Sequence, residues 1–275
     1  MAMDLSGVEV SGYSLGGFAS CLDLPGMKTC VDLGRLIDST VARNTVLITH
    51  GHADHIGSFA QHVAQRGLRG LPPATYYVPP GLGEELEELL HLWRRMDGGA
   101  LPATIRTVEP GEELRPHAGV VVTPFRTRHR VVSQGYLFET ETNKLRPEFV
   151  GQDSQALVAA KARGETIVDP VREPLLAVTG DTTIEGVLEH PKVLAAPRVI
   201  METTFLDDRI DQSESKRKGH IHIKDVADHA GLFQCQDLIL NHVSPRYGPD
   251  QAHRLVREAL PLELMERTRV WIGDA

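Results

Sequence analysis

Thr49-His50-Gly51-His52-Ala53-Asp54-His55 places four metal-capable side chains within six residues, directly after the apolar run Thr45-Val46-Leu47-Ile48. His50 and His52 lie two apart, so on an extended backbone their rings leave the same side. Asp54 and His55 fall where the chain turns into a helix, from which they can swing toward a second ion beside the first. A polar loop would account for one His-x-His pair, but it accounts poorly for His-x-His-x-Asp-His at the exit of a buried strand. Three further apolar runs end in a candidate ligand: 119–125 leads to His129, 174–179 to Gly180-Asp181-Thr182, and 237–241 to His242. A lone His or Asp after a strand is usually a turn residue. Four strand ends in one chain, converging on one rim of a sheet, make a joint signal for a dinuclear metal site.

The elements that must position these residues can be read from periodicity and punctuation. Strands are expected around 7–12, 20–33, 45–49, 76–78, 103–108, 119–125, 135–140, 174–179, 198–202 and 237–241. Helices are expected at about 56–66, 83–96, 153–163, 184–188, 223–233 and 249–260. In the second of these Leu86, Leu89, Leu90 and Trp93 form one stripe, read as core or dimer contact. Strand-rich halves with helices between and after them fit an α/β (α+β) four-layer αββα sandwich. A chain of 275 residues can bury one large core, so a single domain over 1–275 is expected.

The His-x-His-x-Asp-His spacing is the signature of the metallo-β-lactamase superfamily, which the chain resembles. On that resemblance one ion would take His50, His52 and His129, the other Asp54, His55 and His242, with Asp181 bridging. Imidazole and carboxylate donors suit two divalent ions, Zn²⁺ first, with Mn²⁺ or Fe as other occupants. Two such ions lower the pKa of a shared water, giving a hydroxide nucleophile, and can clamp both oxygens of an in-line displacement. The bridging position is Asp and not Cys, which points away from antibiotic-hydrolysing members and toward phosphodiesterase branches.

Within the superfamily the chain resembles ribonuclease Z, the tRNA 3′-end-processing endonuclease, from about residue 45 to about 250. The matching strings are the first motif, His129-Arg-Val-Val-Ser133-Gln-Gly135-Tyr136, Gly180-Asp181-Thr182, Glu202-Thr-Thr-Phe205, Gly219-His220-Ile-His222 and His242-Val-Ser244-Pro-Arg246-Tyr247. The resemblance implies His220 as proton donor to the leaving oxygen and Asp54 as a ligand that also acts in proton transfer. It also places Arg246, Tyr247 and Ser244 near the scissile phosphate. Glu202, at a buried strand end, is expected to pair with His220 or a metal-bound His. His222 orients a metal ligand or a phosphate, or is structural. Ribonuclease Z usually opens with a Gly-Glu-Gly-Thr-Gln stretch, which is absent from the region 18–35. Bacterial members carry a Gly-Pro-containing arm that grips the tRNA elbow. The interval 144–167 keeps Gly-Glu-Thr-Ile but has no Gly-Pro, and it reads as too short for a long protruding arm.

Bulk properties bound the substrate. Net charge is −8 and the pI near 5.9, so there is no overall cationic field for nucleic acid. The local basic runs Arg126-Thr-Arg128-His-Arg130 and Lys216-Arg217-Lys218 are either solvated surface or phosphate-facing, while Arg94-Arg95 reads as surface. The substrate is thus a phosphodiester, either a small molecule or RNA. The missing arm and acidic charge favour the smaller one, and the Ser-x-Gly-Tyr and Arg-Tyr strings favour phosphodiesters in general. Alternatives are a small-molecule ester or lactam hydrolase and, from another class, a sulfur dioxygenase using one iron; the complete second ligand set argues against the latter. Cys21, Cys30 and Cys235 lack metal-knuckle spacing and read as small core residues of a reduced, cytoplasmic chain. No run approaches the roughly 20 apolar residues of a membrane span. His62, on the exposed or half-buried side of its helix, and His91, among leucines, read as structural. His117, His190, His229 and His253 read as surface.

Overall fold

The computed structural model describes residues 2–273. Its strands form two seven-stranded sheets. The first contains β1 (Ala2–Leu5), β2 (Val8–Leu15), β3 (Ala19–Leu24), β4 (Thr29–Val31), β5 (Thr45–Leu47), β6 (Thr75–Val78) and β7 (Thr104–Thr107), side by side in chain order. The second contains β8 (Leu114–His117), β9 (Val120–Arg126), β10 (Gln134–Leu145), β11 (Val168–Val178), β12 (Arg198–Glu202), β13 (Asp237–Asn241) and β14 (Thr268–Val270), again in chain order. Each sheet begins antiparallel, where tight turns connect neighbours, and becomes parallel once crossovers intervene. The helices are α1 (Ala53–Ile56), α2 (Phe59–Leu68), α3 (Gly83–Asp97), α4 (Ser154–Ala162), α5 (Ile184–Leu188), α6 (Pro191–Leu194), α7 (Gln212–Lys218), α8 (Ile223–Asp228), α9 (Pro249–Ala259) and α10 (Leu262–Met265).

Three buried clusters make four layers of this. Leu5, Val10, Leu47, Tyr136, Phe138, Leu176, Ile239 and Trp271 fill the space between the sheets. Outside the first sheet, Phe59 and Val63 of α2 and Leu86 and Leu90 of α3 cover Val46, Tyr76 and Val78. Outside the second, Val187, Val226, Val256 and Leu264 of the C-terminal helices cover Val199, Leu238 and Leu240. The fold is therefore the αββα sandwich that the alternation of strands and helices implied. The central strands β5, β12 and β13 are buried on both faces, which explains their continuous apolar runs.

Several local expectations are corrected. The stretch 20–33 is not one strand but β3 and β4, separated by a 3-10 turn at Pro25–Met27. Strands β1, β8 and β14 and helix α7 carried too little pattern to be read from sequence. His62 is fully buried: its Nδ1 lies 2.8 Å from the Tyr76 hydroxyl and its Nε2 3.1 Å from the Thr40 carbonyl. The carbonyl can only accept, so Nε2 donates to it and Nδ1 accepts from Tyr76. Burial then pushes this neutral ring down to about 4, outweighing the carbonyl. His91 faces solvent, and Trp93 is 40 % exposed, so only Leu86 and Leu90 of the α3 stripe are fully in the core.

The interval expected to be too short for a long arm forms a short projecting ribbon. β10 and β11 pair over their whole length, out to Leu145↔Val168. Neighbouring strands stop early: β9 ends its pairing at Thr140, and β12 pairs only with Ala177 and Val178. Five residue pairs beyond Thr140 thus stand as a two-stranded ribbon, about 17 Å long at strand rise. Pro170 and Pro174 are tolerated on its edge because no further strand needs their missing N–H groups. At the tip, Phe149, Ala160 and Ile167 close a small core under α4. The sequence hid this arm because a two-stranded ribbon with both faces wet shows no period-two alternation.

Candidate metal centre

Strands β5, β12 and β13 are parallel to their sheet neighbours, so their C-terminal ends meet at one rim, and each delivers a ligand or a ligand's support there. Two close approaches bring the sheets together. Gly180, at φ +61°, packs so tightly on Thr49 that a Cβ would sit 2.8 Å from the Thr49 Cβ; this sets Asp181 beside His50. The Tyr136 hydroxyl donates to the Ile48 carbonyl at 2.6 Å, and the Gln134 amide donates to the Thr49 carbonyl at 3.0 Å, fixing the exit of β5.

The seven expected ligands fall into two groups. In the first, His50 Nε2 and His52 Nδ1 are 3.0 Å apart and His129 Nε2 lies 3.2 Å from the same Nδ1. Asp181 Oδ2 is 3.7 Å from His50 Nε2 and 3.8 Å from His129 Nε2. In the second, His55 Nε2 and His242 Nε2 are 3.3 Å apart, and Asp54 Oδ2 is 3.6 and 3.3 Å from them respectively. Asp181 Oδ1 is 3.4 Å from both His55 Nε2 and His242 Nε2. Tetrahedral coordination with bonds of 2.0–2.1 Å requires donor atoms about 3.3 Å apart, which is the spacing seen. Asp181 presents one oxygen to each group, the position of a bridge. Its Oδ1 is buried without a hydrogen-bond partner among the described residues, a costly state for a carboxylate that a cation would relieve. A third combination, Asp181, His220 and His242, is also close enough to hold an ion.

What lies behind the ligands decides which ring nitrogen faces inward. His55 Nδ1 is 2.7 Å from Asp32 Oδ2, so that nitrogen carries the proton and Nε2 turns its lone pair to the site. His129 Nδ1 donates to the Gly219 carbonyl at 2.7 Å, with the same result. Two of the remaining three imidazoles, those of His50 and His242, reach a carboxylate through a threonine. Thr49 Oγ1 donates to Asp32 at 2.9 Å and lies 3.0 Å from His50 Nδ1. Thr204 Oγ1 donates to Glu202 at 2.9 Å and lies 3.0 Å from His242 Nδ1. Each hydroxyl has one proton to give, so each accepts from its histidine; these tautomers are assigned from the network. Asp32 therefore supports His55 directly and His50 through Thr49, and Glu202 supports His242 through Thr204. Asp32 was not singled out as a site residue, since a lone Asp after a strand looks like a turn. Its φ of +62°, and that of His242 at +56°, place two non-glycine residues in the left-handed region, at about 1–2 kcal/mol each.

Glu202 is 1 % exposed and meets its donors fully: the Thr182, Thr204 and Ile221 amides at 3.1, 3.1 and 3.2 Å, and the Thr204 hydroxyl. His220 Nδ1 stands 3.0 Å from its Oε1, leaving Nε2 without a hydrogen-bond partner among the described residues and 17 % of the side chain exposed. Burial acts to lower the His220 pKa, but Glu202 and Asp181 outweigh it and raise it to about 9. Asp54 Oδ2 accepts from the Gly17 amide at 2.9 Å, tying α1 to the turn between β2 and β3.

The remaining expected residues are placed differently. His222 does not face the site: it is fully buried, its Nδ1 caps α8 by accepting from the Lys224 amide at 3.1 Å, and its Nε2 lies 3.2 Å from the Asp207 carbonyl. It is a helix cap, not a phosphate contact. Tyr247 is 2 % exposed, and its hydroxyl accepts from the Leu206 amide at 3.0 Å and donates to Asp207 at 3.2 Å. It braces the loop behind His220 and has no free polar group to offer a substrate. Ser244 is buried and accepts from Arg246 Nε at 3.1 Å. Arg246 is exposed, its guanidinium 5.4 Å from the Phe205 ring centre, and the other neighbour of that ring is His220, at 5.9 Å between ring centres.

Comparison with known proteins accords with this geometry. Residues 33–146 match a family model described as a beta-lactamase superfamily domain. The chain is 33 % identical to tRNase Z TRZ1 of Arabidopsis thaliana over 268 residues, which cover 97 % of this chain and 95 % of that one. The chain belongs to the ribonuclease Z family. A second relative of this ribonuclease Z chain, the chloroplastic tRNase Z TRZ2 of A. thaliana, is 32 % identical over 94 % of this chain and 72 % of its own. In three dimensions human tRNase Z, short form, superposes with a TM-score of 0.63 at 17 % identity, covering 96 % of both chains. The protein is a metal-dependent hydrolase with the metallo-β-lactamase fold. Among the described residues no helix is long and apolar enough to cross a membrane, and Cys21, Cys30 and Cys235 are buried free thiols.

Proposed function

We propose that this ribonuclease Z cleaves an RNA phosphodiester at the 3′ side of precursor tRNA, using two zinc ions. The observation that carries the substrate is the end-to-end similarity to proteins named tRNase Z, supported by the projecting β10–β11 arm. The donor set, with no thiolate and an orphaned bridging carboxylate, supports two divalent ions. His50, His52 and His129 would hold one, Asp54, His55 and His242 the other, with Asp181 shared. When bound, the ions supply an ionised water at neutral pH and neutralise charge building on the phosphate.

The chain's own residues do the rest. Asp32, directly for His55 and through Thr49 for His50, and Glu202, through Thr204 for His242, hold these three imidazoles in the tautomer that offers Nε2 to a cation. His220, held through Nδ1 by Glu202, presents Nε2–H at the open side of the site, where it gives its proton to the departing sugar oxygen. Asp54, anchored by the Gly17 amide, takes up the proton released from the attacking water. Arg246 stands near His220 as a counter-charge for the phosphate. The buried unpaired thiols support a reducing compartment, the cytoplasm.

A panel of precursor tRNA, bis(p-nitrophenyl) phosphate, a cyclic nucleotide and a β-lactam tests the substrate class. Endonucleolytic cleavage of the precursor tRNA, with the highest kcat/KM of the four, is expected. A protein that hydrolyses the small esters and leaves the tRNA intact would contradict it.

We also infer a homodimer through α3. Its outer face exposes Leu92, Trp93 and Met96 at 46, 40 and 63 %. Glu84, Glu85, Glu87 and Glu88 occupy its first half and Arg94 and Arg95 its end, so an antiparallel copy sets unlike charges together around an apolar strip. Sedimentation should give twice the chain mass, falling to one chain for Trp93→Glu; a monomeric wild type at micromolar concentration would refute it.

A further inference from the structure

The cations around the metal centre are not equivalent. Lys216 pairs with Glu185, Arg217 and Lys218 with Glu214 at 2.7 and 3.1 Å, and Arg128 with Glu189. These side chains are neutralised by the protein itself. Among the described residues neither Arg130 nor Arg126 has a carboxylate within ion-pair distance or a hydrogen bond from its guanidinium, though Glu189 acts on Arg126 at longer range; of the two, the one that lines a cavity is Arg126. It lies on the wall of a groove of about 820 Å³ that opens beside His129 and is also lined by Glu109 and by Glu189, the latter paired with Arg128. Past Arg126 and Pro110 the groove continues into a second cleft of about 370 Å³, lined by His190 and Lys192. Both volumes lie within the range of about 300–1,000 Å³ typical of small-ligand pockets.

The wall nearest the metal centre is apolar and stiff. Val131 and Val132 are 42 and 62 % exposed on the loop that follows His129. The Thr127 and Ser133 hydroxyls, 2.6 Å apart, and the bond from the Thr127 amide to the Ser133 carbonyl close that loop at its base. Two β-branched side chains with few rotamers are thus held out in water beside a catalytic centre. Leaving them uncovered forfeits apolar burial, so their position calls for an apolar face to lie on them. A ligand that suits a flat apolar wall, an unpaired arginine and a track continuous with the scissile position carries negative charge and flat apolar rings in alternation.

We propose that this groove binds the single-stranded ribonucleotides flanking the scissile phosphate, with a base against Val131 and Val132 and the next phosphate on Arg126. This rests on the ribonuclease reading of the site. Oligoribonucleotides lengthened one nucleotide at a time on either side of the cleaved bond test it, with bis(p-nitrophenyl) phosphate as a substrate too short to reach the groove. For the wild type, kcat/KM should rise with length on one side, mainly through KM. Arg126→Ala and Val132→Asp should each flatten that rise by about tenfold, and Arg126→Lys should keep most of it. Turnover of bis(p-nitrophenyl) phosphate should fall far less. Variants that retain the full length dependence, or that lose both substrates equally, would overturn the proposal. A wild type that turns over bis(p-nitrophenyl) phosphate but no oligoribonucleotide would instead overturn the ribonuclease reading, and the groove's role with it.

Discussion

Asp181→Ala is expected to abolish hydrolysis, at least about a thousandfold and so at least about 4 kcal/mol of transition-state stabilisation, and to lower metal content. One carboxylate oxygen faces each ligand group, at 3.4 Å from His55 and His242 and 3.7 Å from His50. Without it, two divalent charges confront each other with no anion between, and their repulsion is four times that of unit charges at the same distance. The metal-free fold should survive, because Asp181 Oδ1 has no hydrogen bond to lose. Activity and metal content, with the melting temperature of chelated samples as the control for folding, check this. Near-normal activity would place the bridge elsewhere. Unfolding of the chelated variant would make Asp181 a structural residue.

His220→Ala should keep both metals and yet slow turnover by at least about a hundredfold on substrates with poor leaving groups. A sugar alkoxide needs a proton to depart at neutral pH, and His220 is held at Nδ1 by Glu202 while its Nε2 has no hydrogen-bond partner among the described residues and its side chain is partly open to solvent. With p-nitrophenolate, which departs unaided, the loss should be much smaller. The split between the two substrate types is the reading that a merely structural role would not move. Equal losses would leave His220 as a phosphate binder. Loss of a metal would make it a ligand, as its closeness to Asp181 and His242 permits, and the division of the seven ligands would then be wrong.

The ligand rim was legible in the sequence for a physical reason. Buried parallel strands must be continuous apolar runs, and the first polar residue after such a run sits at the sheet edge, so β5 and β13 announced His50 and His242 by position. The residues behind the ligands were not legible. Asp32 follows β4 as any turn residue might, and its bond to His55 joins positions 23 residues apart that only the fold brings together. His222 and Tyr247 show the converse. They belong to strings that accompany the site, yet one caps α8 and the other braces the loop at 206–207, so a motif recorded them for holding the site rather than for touching a substrate. The short ribbon of β10 and β11 was not legible because solvated two-stranded ribbons lack alternation. Net charge is a blunt guide here, since many basic side chains near the site are already paired and the cations without an ion pair among the described residues, Arg126, Arg130 and Arg246, are local.

The count of metal ions in the purified protein, by elemental analysis together with anomalous diffraction from crystals, tests the central claim most directly. Two ions per chain are expected, one among His50, His52 and His129, one among Asp54, His55 and His242, with Asp181 contacting both. A fully loaded protein with a single ion, or with His242 outside the coordination shell, would contradict it.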